Sequence, residues 1–209
     1  MKTNAYIDGF NFYYGCYRPR PKNEKAKWVD LRALCSALLP NDDIDRVHYF
    51  TARVKAAWDP GGPLRQETYI RALRGCKQLY VHESHFQPVQ RKGTPTNDPT
   101  AAPVTIDTWE EKGSDVNLAT KLLTEAMDGD FEQALVISND TDLLEPIKIV
   151  RQKFGCPVVV VSPHSYVTVK LRRVATNAFI LDHSLLAQCQ LPNPARDRKG
   201  KLVTKPHVW

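Results

Sequence analysis

Val136-Ile137-Ser138-Asn139-Asp140-Thr141-Asp142-Leu143-Leu144 is the stretch on which the fold turns. An apolar strand, Ala134 to Ile137, runs into two carboxylates one residue apart, and a helix begins at once. Pro146 fixes that start, because proline is accommodated in a first helical turn but not in an interior. Asp140 and Asp142 therefore stand where strand becomes helix, at the carboxyl edge of a sheet. Each has two readings. Aspartate is a favoured helix cap, and Asp142 with Glu145 three residues on has that pattern. The other reading is a ligand, which requires further acidic residues to converge on the same edge.

Working outward, Asp128-Gly129-Asp130 closes a helix that starts near Ser114 and carries Ala119, Leu122, Leu123 and Ala126 as its apolar stripe. Ser114 or Asp115 suits its N-cap. Val104 to Asp107 reads as a short strand. From Phe86 to Pro103 the chain is rich in Pro, Thr, Gly and Asn, broken by Arg91-Lys92. Connections of that length are either functional or disordered, and the sequence leaves the choice open. Nearer the N-terminus, Ala5 to Asp8 is a strand that ends on a carboxylate, and Gly9 lets the backbone turn sharply. Asp30 caps a helix with Leu31, Leu34, Cys35 and Leu38 at helical spacing. Ile44 to Thr51 is a strand. Pro63 to Gly75 is a helix burying Tyr69, Ala72, Leu73 and Cys76, and Leu79 to Glu83 is a third strand. His82 and His85 do not read as a metal pair, since strand positions three apart face opposite ways.

Downstream, Leu143, Ile147, Val150 and Phe154 mark a helix ending at Gly155. Pro157 to Val161 is a continuous apolar run, as in parallel strands buried on both faces. Tyr166 to Val174 reads as a basic helix, and Ala178 to Leu181 as a last strand. Beyond Leu191 come prolines and Arg196, Arg198, Lys199, Lys201 and Lys205, with little to bury. This divides the chain into a domain over 1–191 and a flexible basic tail over 192–209.

The 209 residues, 42% hydrophobic and 25% charged, suit one domain with a substantial core. No apolar run approaches a membrane span, and the N-terminus enters a strand without room for a signal peptide. Five scattered cysteines with no Cys-x-x-Cys pair argue for reduced thiols in a cytoplasmic setting and against structural zinc. The net charge of +6 favours a polyanionic partner. Between Tyr17 and Trp28 stand Arg18, Arg20, Lys22, Lys25 and Lys27 against a single Glu24. That segment is either a phosphate-gripping loop, with Tyr17 or Trp28 to stack on bases, or a solvated surface loop.

Alternating strands and helices indicate an α/β domain of three layers, a mainly parallel central sheet with helices on both faces. Such sheets bind ligands beyond their carboxyl edge, where strand order reverses. In the order 3-2-1-4-5, with Ala5–Asp8 first and Ala134–Ser138 fourth, Asp8 lies beside Asp140 and Asp142 just past the same edge. Asp115 joins them if its helix points its N-terminus to that side. Clustered carboxylates repel one another and call for a cation. Oxygen ligands without His or Cys suit Mg²⁺ or Mn²⁺, which can activate water against a phosphodiester. There is no Walker A sequence and no G-x-G-x-x-G.

Asp8-Gly9-Phe10-Asn11, Glu111-Lys112-Gly113-Ser114-Asp115-Val116 and Ser138-Asn139-Asp140-Thr141-Asp142-Leu143 resemble, in order and spacing, the motifs of the NYN domain, a branch of the PIN-like ribonucleases. The resemblance covers about Ala5 to Leu181. It implies a PIN-like fold and metal-dependent endonucleolytic cleavage of RNA by an activated water, leaving a 5′-phosphate. Asp8, Asp115 and Asp140 would be the main carboxylates, Asp142 would assist, and Asn11 would orient substrate or water. The chain departs from the family at Asn139, usually Gly, and at Ser114, usually aliphatic. The expected partner is single-stranded RNA, gripped by Arg18, Arg20, Lys22, Lys25, Lys112, Arg172 and Arg173. A homo-oligomer or a regulatory protein partner is compatible with the chain; a membrane is not expected. The rival readings are a PIN-like module that binds RNA or protein without cutting, and a small-molecule phosphohydrolase.

Overall fold

The structure is a computed structural model that describes residues 1–18, 25–57, 59–98 and 100–209. Its strands are β1 (Lys2–Asp8), β2 (Asp43–Ala52), β3 (Leu79–Gly93), β4 (Val104–Lys112), β5 (Gln133–Ile137), β6 (Val158–Ser162) and β7 (Asn177–Ile180). Among the described residues these seven form one sheet in the order β4-β3-β2-β1-β5-β6-β7. All neighbours are parallel except β3 and β4.

The helices are α1 (Gly9–Cys16), α2 (Leu31–Leu38), α3 (Gly62–Leu73), α4 (Ser114–Met127), α5 (Leu144–Lys153), α6 (Val169–Val174) and α7 (Ser184–Gln188). Two apolar clusters show how they are layered. Phe12, Leu31, Leu34, Leu73 and Leu186 from α1, α2, α3 and α7 pack with Ala5, Ile7, Leu135, Ile137, Val159 and Val161. Leu118, Leu122, Ile147, Val150 and Leu171 from α4, α5 and α6 pack with Tyr6, Ala134, Val136, Val158 and Val160. Successive residues of one strand thus enter opposite cores, which is why the central strands are apolar without alternation. The expected three-layer α/β architecture is what the structure shows.

The chain leaves β1 toward β2 on one side, whereas β5 pairs with β1 on the other. That reversal lies where the sequence placed it. Ile7 stands opposite Ile137, so Asp8 and Ser138 meet at the carboxyl edge.

Several expectations are corrected or narrowed. Within 86–103, where the sequence left the choice open, residues 86–93 are strand. β3 continues to Gly93 and pairs antiparallel with β4 from His85–Lys112 out to Gly93–Val104, forming a hairpin arm. β2 accompanies β3 only as far as Ser84, so Pro88 sits where one side of the strand lacks a ladder partner and its missing N–H does no harm. The Tyr166–Val174 segment is helical only from Val169. Trp28 is 1% exposed, so it is a core residue and not a base-stacking one; Tyr17, 5% exposed, is also packed in the core but borders a cavity beside α1.

The 192–209 segment is likewise no unpacked tail. Ala195–Arg196 (β8) and Leu202–Val203 (β9) pair as a hairpin, and Ala195 and Val203 are buried in the first core. Trp28 donates from its indole to the Pro192 carbonyl at 3.0 Å. Trp209 meets Tyr69 edge-on, 5.7 Å between centroids. No helix among the described residues is long and apolar enough to cross a membrane.

Candidate metal centre

Asp8 ends β1 and caps α1. Its Oδ1 accepts the Asn11 N–H at 3.0 Å, and its Oδ2 accepts the Ser138 hydroxyl at 3.0 Å. Gly9 makes this placement possible: a Cβ there would lie 2.5 Å from the Phe50 carbonyl oxygen and 2.9 Å from the Tyr49 ring. Only glycine lets α1 start this close to β2. Asn11 in turn accepts the Asn139 N–H on its Oδ1 at 2.9 Å, tying α1 to the loop after β5.

Asp140 follows β5. Its Oδ1 accepts the Asp142 N–H at 2.9 Å and caps a 3₁₀ turn, Thr141–Leu143, that leads into α5. The cap is therefore Asp140, and not Asp142 as the spacing to Glu145 indicated. The Asp140 N–H donates to the Ser138 hydroxyl at 3.1 Å, so one serine bridges Asp140 and Asp8. Asn139 has no left-handed backbone. Its side-chain oxygen accepts the Thr168 N–H at 2.8 Å and hydroxyl at 3.0 Å, anchoring the start of α6.

Asp115 lies in the first turn of α4. Gly113, with φ +96°, provides the left-handed turn into that helix. Glu111 supplies the cap, accepting the Ser114 N–H at 3.0 Å and hydroxyl at 2.7 Å. Ser114 and Asp115, the two caps the sequence offered, are not the capping groups.

Carboxylate oxygens of Asp8, Asp115 and Asp140 all lie within 4.8 Å of one another. Burial pushes the Asp8 carboxyl above its ordinary range, and the Asp140 charge adds to that. Asp115 is pushed up to about 6, first by burial and then by the charges of Asp8, Asp140, Glu111 and Asp142. Three hard oxygen donors held in mutual repulsion fit a hard divalent cation. Asp142 is outside this group; it stands exposed on the 3₁₀ turn and acts on Asp115 only through its charge.

The three aspartates open into a crevice of about 340 Å³ that Asn11 also lines. Sequence reasoning missed its other walls: Phe10 and Tyr14 from α1, Phe86 from the hairpin arm, Glu111 and His164. Phe10 meets Phe86 edge-on at 5.6 Å. Phe10 and Tyr14 are four apart, so reading Gly9–Cys16 as a helix would have put both on one face.

None of the described residues expected to bind phosphate lines this crevice. The Arg18 guanidinium lies 5.3 Å over the Tyr14 ring, next to the acidic wall. Lys112 is exposed and pairs with Glu110 at 2.7 Å. Arg172 and Arg173 are exposed in the last turn of α6, and Lys25 is exposed on the opposite layer. Arg20 and Lys22 lie outside the described residues.

The sequence profile of the NYN domain matches residues 2–182 of this chain. A sequence relative, 6-hydroxy-3-succinoylpyridine 3-monooxygenase HspA of Pseudomonas putida, is 29% identical over an alignment taking in all of this chain and 75% of the relative. Among solved structures, a protein of unknown function from Vibrio parahaemolyticus is similar with TM-score 0.56 and 18% identity, over 87% of this chain and 93% of its own. At that identity the likeness establishes the shared fold.

Proposed function

The chain belongs to the NYN domain family, and from that premise we propose that it is a metal-dependent endoribonuclease. The observation that carries this reading is the convergence of Asp8, Asp115 and Asp140, from three different elements, within 4.8 Å at the sheet's reversal point. A binding module has no use for carboxylates held in mutual repulsion. Those three residues would hold Mg²⁺ or Mn²⁺, which supplies Lewis-acid activation of water and of the scissile phosphate. Ser138 and Asn11 keep Asp8 and the Asp140 loop in register. Asp142 adds negative potential at the lip. Arg18, Lys25, Lys112, Arg172 and Arg173, with Arg20 and Lys22, neutralise the backbone of single-stranded RNA.

The test is cleavage of end-labelled single-stranded RNA with Mn²⁺ by the wild type and by Asp140→Asn. The wild type should leave 5′-phosphate ends and stop on chelation, and the variant should be at least about 100-fold slower. Equal cleavage by both proteins would overturn the reading.

A second reading has one observation in its favour. The relative is named for oxygenation of a substituted pyridine, and this chain carries an aromatic-walled cavity next to the acidic crevice. That reading requires an electron donor and dioxygen, and predicts oxygen uptake with a small aromatic substrate. RNA cleavage without such uptake would remove it.

A further inference from the structure

Beside the acidic crevice lies a second cavity, of about 520 Å³, that shares Phe10 and Tyr14 with it as a common wall. Both open at the same sheet edge: Gly9 follows Asp8, and Tyr49 pairs in register with Ile7. The size is within the ~300–1,000 Å³ of small-ligand sites. The walls are aromatic, made by Phe10, Tyr13, Tyr14, Tyr49, Tyr69 and Trp209. Two of the polar groups among them are already engaged. The Tyr69 hydroxyl donates to the Val29 carbonyl at 2.8 Å, and the Gln66 amide spans the Ala52 carbonyl and the Val54 N–H, each at 2.9 Å. The deepest part of the interior therefore offers mainly ring faces.

Charge separates the two chambers. Among the described residues, the aromatic cavity is lined by Lys27, Lys55 and Arg65 against one aspartate, Asp59, which pairs with Arg65. Lys55 sits 4.8 Å over the Trp109 ring of the hairpin arm, at the cavity's rim. Across the shared wall the crevice presents Asp8, Glu111, Asp115 and Asp140. A small aromatic acid would use only the basic chamber. A polynucleotide has a use for both, one for a metal-held phosphate and the other for a flat base with its neighbouring phosphate.

We propose that the aromatic cavity is the base subsite of the nuclease centre. It takes the base next to the scissile phosphate by stacking, with Lys27 and Lys55 on the adjoining phosphate. It discriminates little among bases, because stacking carries the recognition and every base has a π-face. This rests on the ribonuclease reading, yet it is measurable without cleavage.

The experiment is calorimetric titration of the full chain in EDTA, where the crevice repels phosphate, with adenosine and uridine 5′-monophosphates. Ribose 5-phosphate and benzoate are the comparators. Both nucleotides should bind, and each comparator should bind at least about tenfold more weakly. Tyr13→Ala, at an exposed ring of this cavity alone, should lower nucleotide affinity on the order of tenfold. Lys55→Gln should weaken binding and flatten its salt dependence, and Asp140→Asn should still bind. Near-UV circular dichroism confirms that the variants are folded. Benzoate binding as tightly as the nucleotides, or unchanged affinity in both folded cavity variants, overturns the proposal. RNA cleavage without nucleotide binding overturns the subsite and leaves the nuclease. Nucleotide binding without any RNA cleavage supports the cavity's ligand and removes the nuclease reading.

Discussion

At Asp140 a capping role leaves room for a ligand role. A carboxylate has two oxygens, each with more than one lone pair. Asp140 uses Oδ1 to cap the 3₁₀ turn, which fixes the carboxylate's orientation toward its neighbours. Asp8 caps α1 in the same way. Two titratable residues of α4 then pull stability in opposite directions. Asp115 has a folded value of about 6, above its ordinary 3.8. The folded, metal-free protein thus holds that proton more tightly than the unfolded chain. Its contribution is fully present below about pH 4 and is lost as pH rises through about 6. Asp115→Asn in EDTA should therefore raise neutral-pH stability by ~1 kcal/mol, after discounting for solvent screening, and flatten the decline between about pH 4 and pH 6. Urea denaturation across that range checks both.

Glu125 is the opposite case. Burial alone would raise its carboxyl, but the surrounding donors hold it below the ordinary range. Tyr6 donates from its hydroxyl at 2.6 Å and Asn4 from its amide at 2.9 Å, while Arg46 and Lys121 pair with it at 3.2 and 3.0 Å. That contribution is present above its unfolded value and fades on acidification. Glu125→Ala strands those donors and should cost about 3–5 kcal/mol by urea denaturation, with RNA cleavage by the remaining folded protein unchanged.

Among the elements, α1 is one that sequence periodicity could not disclose. Gly9-Phe10-Asn11-Phe12-Tyr13-Tyr14-Gly15-Cys16 holds two glycines and four aromatics, and neither type favours a helix. It is helical because Asp8 caps it and because its buried residues, Phe12 and Cys16, find the first core. Gly9→Ala should destabilise the protein by ~1–3 kcal/mol, since the new methyl meets backbone and a buried ring that cannot both retreat. A smaller loss in chemical denaturation would mean that α1 can shift away from β2. The hairpin arm escaped notice for a different reason. Of β4 only Val104 to Asp107 read as strand, and beyond Ser84 most of β3's residues face solvent, so no apolar alternation marks that half of β3.

At the scale of the whole molecule, the last residues belong to the body. Ala195 and Val203 are too few and too widely spaced to read as a core segment, yet both are buried in it. Asp197 pairs with Arg71 of α3 at 2.9 Å. Truncation after Leu191 should lower stability by at least about 3 kcal/mol, from the burial of Val203 and Trp209 alone, and should appear as a lower Tm in calorimetry. An unchanged Tm would show that the segment only rests on the surface.

By itself the sequence determines the alternation of strands and helices and the carboxylates that stand at their junctions. Those are local matters: side-chain period, proline and the demand of helix termini for caps operate within a few residues. That Asp8 lies next to Asp140 was also legible, because two apolar strands and one reversal in their order admit few arrangements. Only the tertiary structure decides that Asp115 completes the group while Asp142 stays outside, that Tyr17 and Trp28 are core, and that an aromatic cavity adjoins the acidic crevice. Those outcomes depend on how α1, α4 and the hairpin arm seat against the sheet. Side chains distant in the chain and buried by long-range packing set that, and no periodicity of the segments themselves encodes it.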